Sequence, residues 1–303
     1  PEALVNVKKE FGENPYELQN ILKYWVRSKN DDLKVIPTDS IVMKVDKEAV
    51  RRSGMMIPGD SIPDYMHISL KGKRALYKSE LMMLEMLAEA NWDRPIYMAV
   101  SVGTENHLGM GNHFVQEGLT YRFTPFDTEK TGVKLDSEKM YDNLMNKFKF
   151  GGIDKEGIYI DENAMRMCYS HRRIFSQLIG QLIREGKTDK AKAALEYAEK
   201  MIPAYNVPYD WQNGAMQMAE AYYQLGEKEK GDNIMKALAD KAVEYLTWYL
   251  SLDDQRFAMS SHEVVDYQLP ILSTEVKLMQ KYNSELAPVY DSKLNELYQM
   301  CVD

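Results

Sequence analysis

Cysteine and long apolar segments are scarce in this sequence of 303 residues. Its two cysteines, Cys168 and Cys301, are too few for a disulfide framework, and we expect both to be unpaired, mostly buried thiols. No apolar run approaches the roughly 20 residues that a membrane-spanning helix requires. A disulfide-stapled scaffold is therefore excluded, and we expect no direct membrane insertion by this chain.

Positive charge is also in short supply. The chain has 38 Lys and Arg against 46 Asp and Glu, which gives a net charge of −8. Nucleic acids and anionic membranes are bound through clustered basic residues, so we expect neither as a partner. The hydrophobic fraction of 45% and the charged fraction of 28% indicate a water-soluble globular protein. Because the chain does not begin with Met, we expect it to be a piece of a longer protein.

A glycine-rich loop follows the apolar run 96–102, with glycines at Gly103, Gly109 and Gly111. The dinucleotide-binding fingerprint G-x-G-x-x-G requires a different spacing, and the Lys-Ser or Lys-Thr pair of a P-loop is absent. Glu105 lies within the loop and would repel a phosphate. We therefore interpret the glycines as residues that permit tight turns, and we expect no bound cofactor.

His107 and His113, with Glu105 and Glu117 nearby, form the only group with the composition of a metal site. Their spacing is not the i, i+4 pair that places two histidines on one face of a helix, so we interpret them as surface-loop histidines. A G-x-S-x-G motif is also absent. The sequence predicts no catalytic residue and no metal ligand.

The first 160 residues mix helical and strand-like patterns, which predicts a small α/β domain with a mixed sheet. We expect the first helix to be capped by Asn14, with Pro15 at its first position. The predicted helices cover 14–28, 78–90 and 137–148, and the predicted strands cover 40–45, 66–70, 94–102 and 119–126.

Residues 161–303 show helical periodicity throughout and predict an all-α domain, so the fold class of the whole chain is α+β. Segments 182–195 and 222–235 align at an offset of 40 residues, with Gly186 opposite Gly226. Each copy reads as a helical hairpin, and the first resembles a tetratricopeptide repeat. Two copies are fewer than the roughly three that a free solenoid needs, so we expect these helices to pack on other elements.

Four segments carry a resemblance to a known family. Together with the tetratricopeptide-like helices, they resemble the soluble C-terminal region of bacterial protein O-mannosyltransferase-like membrane proteins, whose N-terminal part is similar to GT-C glycosyltransferases. The segments are VDKEAVRRSGMMIP (45–58), SELMMLEMLAEANWDRPIYMAVSVG (79–103), MYDNLMNKFKFGGID (140–154) and GIYIDENAMRM (157–167).

This resemblance implies a non-catalytic accessory domain on the extracytoplasmic (periplasmic) face of the inner membrane. Its implied partners are the N-terminal membrane domain of the same protein and a polypeptide acceptor. No catalytic residue of the family falls within this chain, because the catalytic carboxylate belongs to the membrane part. The alternatives are a free-standing tetratricopeptide-type adaptor, and a nucleotide- or sugar-binding enzyme that uses the loop 103–111.

Two irregular segments are predicted to form the recognition surface, because binding residues are concentrated in loops. His107 and His113 belong to the glycine-rich loop, and Tyr205, Tyr209 and Trp211 belong to the connection between the two hairpins. For Tyr209 and Trp211, packing within the protein remains an alternative.

Overall fold

A computed structural model of the chain describes residues 14–59 and 61–302. The chain divides into two compact units, of which the first ends at Met140 and the second begins at Tyr141. All strands of the described residues lie in unit 1, and unit 2 is helical, so the predicted α+β class is confirmed. The domain boundary predicted at residue 160 falls inside unit 2.

Each predicted helix and strand of unit 1 has a counterpart, but the strand predicted over 94–102 is only Tyr97–Ala99. Strand β4 and the short helices α2 and α4 were not predicted. The single turn α1 continues as a π-helical segment, Ile21–Val26. The elements are α1 Leu18–Asn20, β1 Ser40–Lys44, α2 Lys47–Arg52, β2 Tyr65–Ser69, α3 Lys78–Ala90, β3 Tyr97–Ala99, β4 Phe114–Gln116, β5 Thr120–Phe123, α4 Thr128–Thr131 and α5 Ser137–Asp142, the last of which crosses into unit 2.

The strands form two antiparallel sheets instead of one mixed sheet. Strand β1 pairs with β2, and β5 lies between β3 and β4. Among the described residues, parallel pairing is confined to the isolated bridges Glu17–Val42 and Gln116–Leu135. The alternation of exposed and buried residues along β1 and β2 gives the first sheet one buried face.

The first helix begins later than the sequence suggests, so the prediction of Asn14 as its cap is wrong. The carbonyl of Tyr16 accepts a hydrogen bond of 2.8 Å from the N–H of Val42, and Glu17 bridges to the same residue of β1. This pairing keeps the backbone of Glu17 extended, and the helix begins at Leu18.

The core of unit 1 combines residues of α1 and its π-helical continuation, β1, β2 and α3. Leu84 and Leu87 are at most 2% exposed. Just after α3, the ring of Trp92 stacks on Phe123 with 5.4 Å between centroids, and its Nε1 donates a hydrogen bond of 2.8 Å to the carbonyl of Lys44. Trp92 therefore fixes the turn between α3 and β3, as its position in the sequence suggests.

Unit 2 begins with two helical hairpins, followed by three further helices. A π-helical segment, Glu263–Gln268, joins α10 to α11, and Pro270 lies in the first turn after it. The helices are α6 Glu162–Arg184, α7 Thr188–Met201, α8 Ala215–Gln224, α9 Lys228–Leu250, α10 Asp254–His262, α11 Leu269–Lys281 and α12 Ala287–Val302.

The turns of the two hairpins have the same hydrogen bonds. In the first, the N–H of Lys187 donates to Leu182 and that of Gly186 to Ile183, which is a Schellman motif. The second turn repeats this pattern around Gly226, and both glycines have a positive φ, 72° and 78°. The offset of 40 residues therefore corresponds to two equivalent helical hairpins.

The segment before α6 packs against the helices of unit 2. Phe150 stacks on Phe175 at 6.1 Å and meets Tyr197 edge-on at the same distance. Asn206 Nδ2 also donates hydrogen bonds to the carbonyls of Ile153 and Lys155. These contacts explain why the compact unit begins before residue 160.

Cys168 and Cys301 are both free thiols, as predicted. No helix within residues 14–59 and 61–302 combines the length and the apolar content that crossing a membrane requires.

Candidate functional site

The glycine-rich loop of unit 1 is packed into the core. Leu108 and Met110 are each 1% exposed. Gly109 has a φ of 69°, and a Cβ there would lie 2.4 Å from the carbonyl oxygen of Ser69 in β2. The glycine is therefore needed for a close approach between loop and strand, which agrees with the structural interpretation of this loop and leaves no space for a phosphate at Gly109.

The interpretation of His107 and His113 as surface-loop residues is wrong, because their side chains are only 6% and 7% exposed. His107 packs against Phe114 with 5.0 Å between ring centroids, and neither of its ring nitrogens has a hydrogen-bond partner within the described part of the chain. Burial lowers the pKa of His113 and so favours its neutral form. These two side chains belong to the core of unit 1 and are not accessible to a macromolecule.

Glu117 is engaged in ion pairs within unit 1. Its Oε1 lies 3.2 Å from Nζ of Lys139 and 3.7 Å from a guanidinium nitrogen of Arg122. Tyr97 donates a hydrogen bond of 3.2 Å to Oε2. No group of three or more His, Cys, Asp or Glu side chains among the described residues is arranged to hold a metal ion.

The connection between the hairpins of unit 2 is fixed by Arg172, which is 1% exposed. Its guanidinium donates hydrogen bonds to the carbonyls of Ile202 at 2.8 Å, Val207 at 2.6 Å and Pro208 at 3.0 Å. It also lies 5.0 Å from the ring centroid of Tyr209. The sequence analysis did not single out this arginine, and only its position inside the amphipathic helix α6 could have drawn attention to it.

The three predicted aromatic residues of the connection have different environments. The hydroxyl of Tyr209 donates to Glu199 Oε1 over 3.0 Å, and burial followed by the charge of Glu199 raises the pKa of Tyr209. Tyr205 is 60% exposed, and its hydroxyl donates to the carbonyl of Asp154. Trp211 is 41% exposed and lines a cavity. The structure thus places Tyr209 in the framework, and Trp211 beside open space.

We call this space the Trp211 cavity. It has a volume of about 290 Å³ and lies between α6, the connection, α9 and the segment from Glu263 through α11. Its aromatic residues are Tyr169, Trp211, Tyr245 and Tyr249, and its charged residues are Asp210, Lys241, Glu263 and Glu275.

An ion pair positions the turn that carries Trp211. Lys241 Nζ lies 2.5 Å from Asp210 Oδ2, and Asp210 Oδ1 accepts a hydrogen bond of 2.9 Å from the N–H of Gln212. Burial opposes the charge of Lys241, but its hydrogen bond and charge interaction with Asp210 outweigh that effect and raise its pKa. The two opposite charges therefore neutralise each other at the wall of the cavity.

Glu275 is the most unusual residue of the Trp211 cavity. It is 1% exposed, and its Oε2 has no hydrogen-bond partner among the residues that the structure describes. Burial, with a smaller contribution from the charge of Asp210, raises the pKa of Glu275 to about 8. Near neutral pH this side chain is mainly a protonated carboxyl group, which can donate a hydrogen bond.

The sequence analysis names Trp211 but no other residue whose side chain lines the cavity. Tyr245 and Tyr249 follow Lys241 at i+4 and i+8, so their common helix face could have been read from the sequence. Glu275 gave no such signal, because a single Glu inside an amphipathic helix is ordinarily solvent-exposed.

A larger hollow of about 780 Å³ lies in unit 1, between the segments 34–39 and 70–76. Two of its basic residues are already paired, Lys34 with Asp31 and Lys73 with Glu80. None of the buried polar atoms without a partner lines it within the described residues. Despite its smaller volume, the Trp211 cavity is therefore the better candidate for a binding site, because a buried carboxyl oxygen without a hydrogen-bond partner belongs to its lining.

Comparison with known protein families places the first half of the chain beside a described domain. Residues 2–143 match the family model described as TMEM260-associated domain 2. The match covers slightly less than half of the chain and ends within three residues of the boundary between the two units. No curated protein and no solved structure matches the chain.

Proposed function

We propose that this chain is a non-catalytic accessory region of a glycosyltransferase-like membrane protein, and that unit 2 binds the polypeptide acceptor at the Trp211 cavity. The match of residues 2–143 to TMEM260-associated domain 2 supports the association with such a protein. The region would lie on the extracytoplasmic face, beside an N-terminal membrane part that performs the glycosyl transfer.

The observation that carries acceptor binding is the half-exposed indole of Trp211 at an open cavity. Aromatic side chains contribute a large contact area at recognition sites. The ion pair between Asp210 and Lys241 holds the turn that carries Trp211. The indole can therefore keep its position while part of it stays exposed. A residue that is positioned but 41% exposed is suited to contact with a ligand.

The enzyme hypothesis based on the loop 103–111 has little structural support. Leu108 and Met110 are buried in the core of unit 1, and Gly109 approaches the backbone of β2. The features of a binding site lie in unit 2 instead.

Acceptor binding is tested by titrating the chain with a flexible peptide rich in Ser and Thr, followed by tryptophan fluorescence and calorimetry. We expect Trp211→Ala to weaken binding at least tenfold while the unfolding free energy changes by less than about 1 kcal/mol. Tyr298→Ala is the control, because Tyr298 is an aromatic residue that is 54% exposed and lies outside the Trp211 cavity. Equal affinities of the two variants would contradict the proposal.

A free-standing adaptor is the second candidate, and the two equivalent helical hairpins favour it. An adaptor selects a peptide sequence, whereas an acceptor site selects residues with a hydroxyl group. Replacing every Ser and Thr of the peptide by Ala separates the two. Loss of binding supports the acceptor site, and unchanged binding supports the adaptor.

A further inference from the structure

Glu275 has a buried carboxyl oxygen that lacks a hydrogen-bond partner among the described residues. A buried polar atom without a hydrogen bond costs roughly 1–3 kcal/mol, and such atoms are uncommon in folded proteins. Glu275 Oε2 is such an atom, and the side chain lines the Trp211 cavity. A ligand that enters the cavity and exchanges a hydrogen bond with this carboxyl group would remove the cost.

The charges of the cavity select against an anionic ligand. Among the described residues that line the cavity, Lys241 is the only cation, and it is already paired with Asp210 at 2.5 Å. Glu263 adds a carboxylate. A phosphate or carboxylate would meet no unpaired positive charge here. A cation would find the carboxylate of Asp210 already paired with Lys241, and that of Glu263 3.2 Å from His262 Nε2. The ligand best suited to this cavity is uncharged.

The remaining lining combines aromatic rings with hydroxyl groups. The hydroxyls of Tyr169 and Tyr245 make no hydrogen bond to another side chain or to the backbone within the described residues. The indole of Trp211 offers an apolar surface. A pyranose ring has matching chemistry, because its C–H face packs on an aromatic ring while its hydroxyls exchange hydrogen bonds at the edge.

The size of the cavity limits the ligand to a small group. Its volume of about 290 Å³ is at the lower end of the range of about 300–1,000 Å³ that is typical of small-molecule sites. One sugar ring fits this space better than an extended oligosaccharide does.

We propose that the Trp211 cavity binds a single uncharged pyranose residue attached to a polypeptide, with Glu275 in hydrogen-bond contact with a sugar hydroxyl. This inference rests on the proposed acceptor function and deepens it. The region would recognise an acceptor that already carries a sugar, and would hold it near the membrane part after the first transfer.

The test uses the full chain and three probes. These are methyl α-D-mannopyranoside, a Ser/Thr peptide, and the same peptide with one O-linked mannose. We expect the glycosylated peptide to bind at least tenfold more tightly than the unmodified peptide, and the free glycoside to compete with it. Calorimetry measures the affinities, and NMR chemical shifts locate the binding.

Glu275→Leu distinguishes ligand binding from a structural role. Because Oε2 has no hydrogen-bond partner within residues 14–59 and 61–302, replacement of Glu275 by an apolar side chain should preserve or raise the melting temperature. The same variant should bind the glycosylated peptide at least tenfold more weakly. Glu275→Gln retains a hydrogen-bonding side chain and should restore much of the affinity, and Trp248→Phe, outside the cavity, should leave it unchanged.

The outcomes separate the two proposals. Equal binding of both peptides would overturn the pyranose site and leave the acceptor function intact. Binding of the free glycoside, but of neither peptide, would overturn both the acceptor function and the recognition of a sugar attached to a polypeptide. Undiminished glycopeptide binding by Glu275→Leu would overturn the assigned contact, and no binding of any probe would overturn both proposals.

Discussion

Lys241 and Asp210 link the middle of α9 to the turn that carries Trp211. Their side chains are 32% and 14% exposed, and the atoms Nζ and Oδ2 lie 2.5 Å apart. Asp210 also accepts the backbone N–H of Gln212. The position of Trp211 therefore depends on a partly buried ion pair more than on packing of the indole, which is 41% exposed.

Lys241→Met should lower the free energy of unfolding by about 1–3 kcal/mol, because it leaves the Asp210 carboxylate partly buried and without its cation. Lys236→Met is the control on the same helix, since the pair of Lys236 with Asp240 is more exposed. That variant should change the free energy by at most about 0.5 kcal/mol. Urea denaturation measures both, and equal effects would contradict the assigned role of Lys241.

Arg172→Met should destabilise unit 2 by roughly 3 kcal/mol, because the buried carbonyls of Ile202 and Val207 lose their donor, whereas the carbonyl of Pro208 keeps a hydrogen bond from Asn213. The neighbouring Arg173 is exposed and serves as the control, with an expected change within about 0.5 kcal/mol for Arg173→Met. Thermal unfolding of the two variants provides the comparison. A similar melting temperature for both would show that the carbonyls find other partners.

Gly231→Ala should cost about 1–3 kcal/mol, since the added Cβ would lie 2.7 Å from the ring of Tyr223 and 3.1 Å from the carbonyl of Ala219. Gly180→Ala in α6 should be neutral or stabilising by up to about 1 kcal/mol, because only the mobile end of Arg184 lies near its Cβ. Chemical denaturation should give opposite shifts for the two changes. Equal tolerance would indicate that α8 and α9 pack less closely than the structure shows.

Gly109→Ala should destabilise unit 1, because its φ is positive and the new Cβ would collide with the Ser69 carbonyl. We expect a loss of about 2 kcal/mol or more. At Gly111, the nearest atom to an added Cβ is Nδ1 of His107 at 3.8 Å, so Gly111→Ala should be tolerated. Proteolysis and thermal unfolding measure the difference, and loss of a ligand without loss of stability would instead point to a functional loop.

The free energy of unfolding of the wild-type chain should fall between about pH 5 and pH 9. Burial raises the pKa of Glu275 from 4.5 to about 8, so the folded state binds more protons than the unfolded state in this interval. Stability is therefore lost as the pH rises through 8, by an amount on the order of a few kcal/mol.

Glu275→Gln, which cannot ionise, should have a flatter stability profile over the same interval. Denaturant midpoints at several pH values provide the measurement. Parallel profiles for the two proteins would show that Glu275 ionises at an ordinary pH. The titratable groups that interact with Glu275 or lie near it, Asp210, Lys241 and Tyr290, remain in both proteins. Their contributions to the pH dependence of the unfolding free energy therefore cancel to first order.

Several elements could be predicted because their signals are local. The helix 78–90 has the predicted bounds, and the turns at Gly186 and Gly226 have the predicted hairpin geometry. The predicted strands 40–45 and 66–70 correspond to β1 and β2. In each case the signal is either the periodicity of apolar residues or a glycine that can adopt a positive φ. Both signals act through residues that are close in the sequence.

Other features depend on contacts between distant parts of the chain. Val42 of β1 donates a hydrogen bond to the carbonyl of Tyr16 and bridges to Glu17, whose backbone is extended, and this overrides the cap predicted at Asn14. The histidines 107 and 113 are polar residues of a loop in the sequence, yet both side chains are buried.

The amino-acid sequence alone determined the helical hairpins and the α+β class, because periodicity and turn residues act over a few positions. It also singled out Trp211 as a candidate recognition residue, which stays a prediction. Tertiary structure decided that Asp210, Lys241 and Glu275 line one cavity with that tryptophan. Burial and electrostatic fields arise from residues far apart along the chain, so the pKa of Glu275 is raised only once α11 has packed against the rest of unit 2.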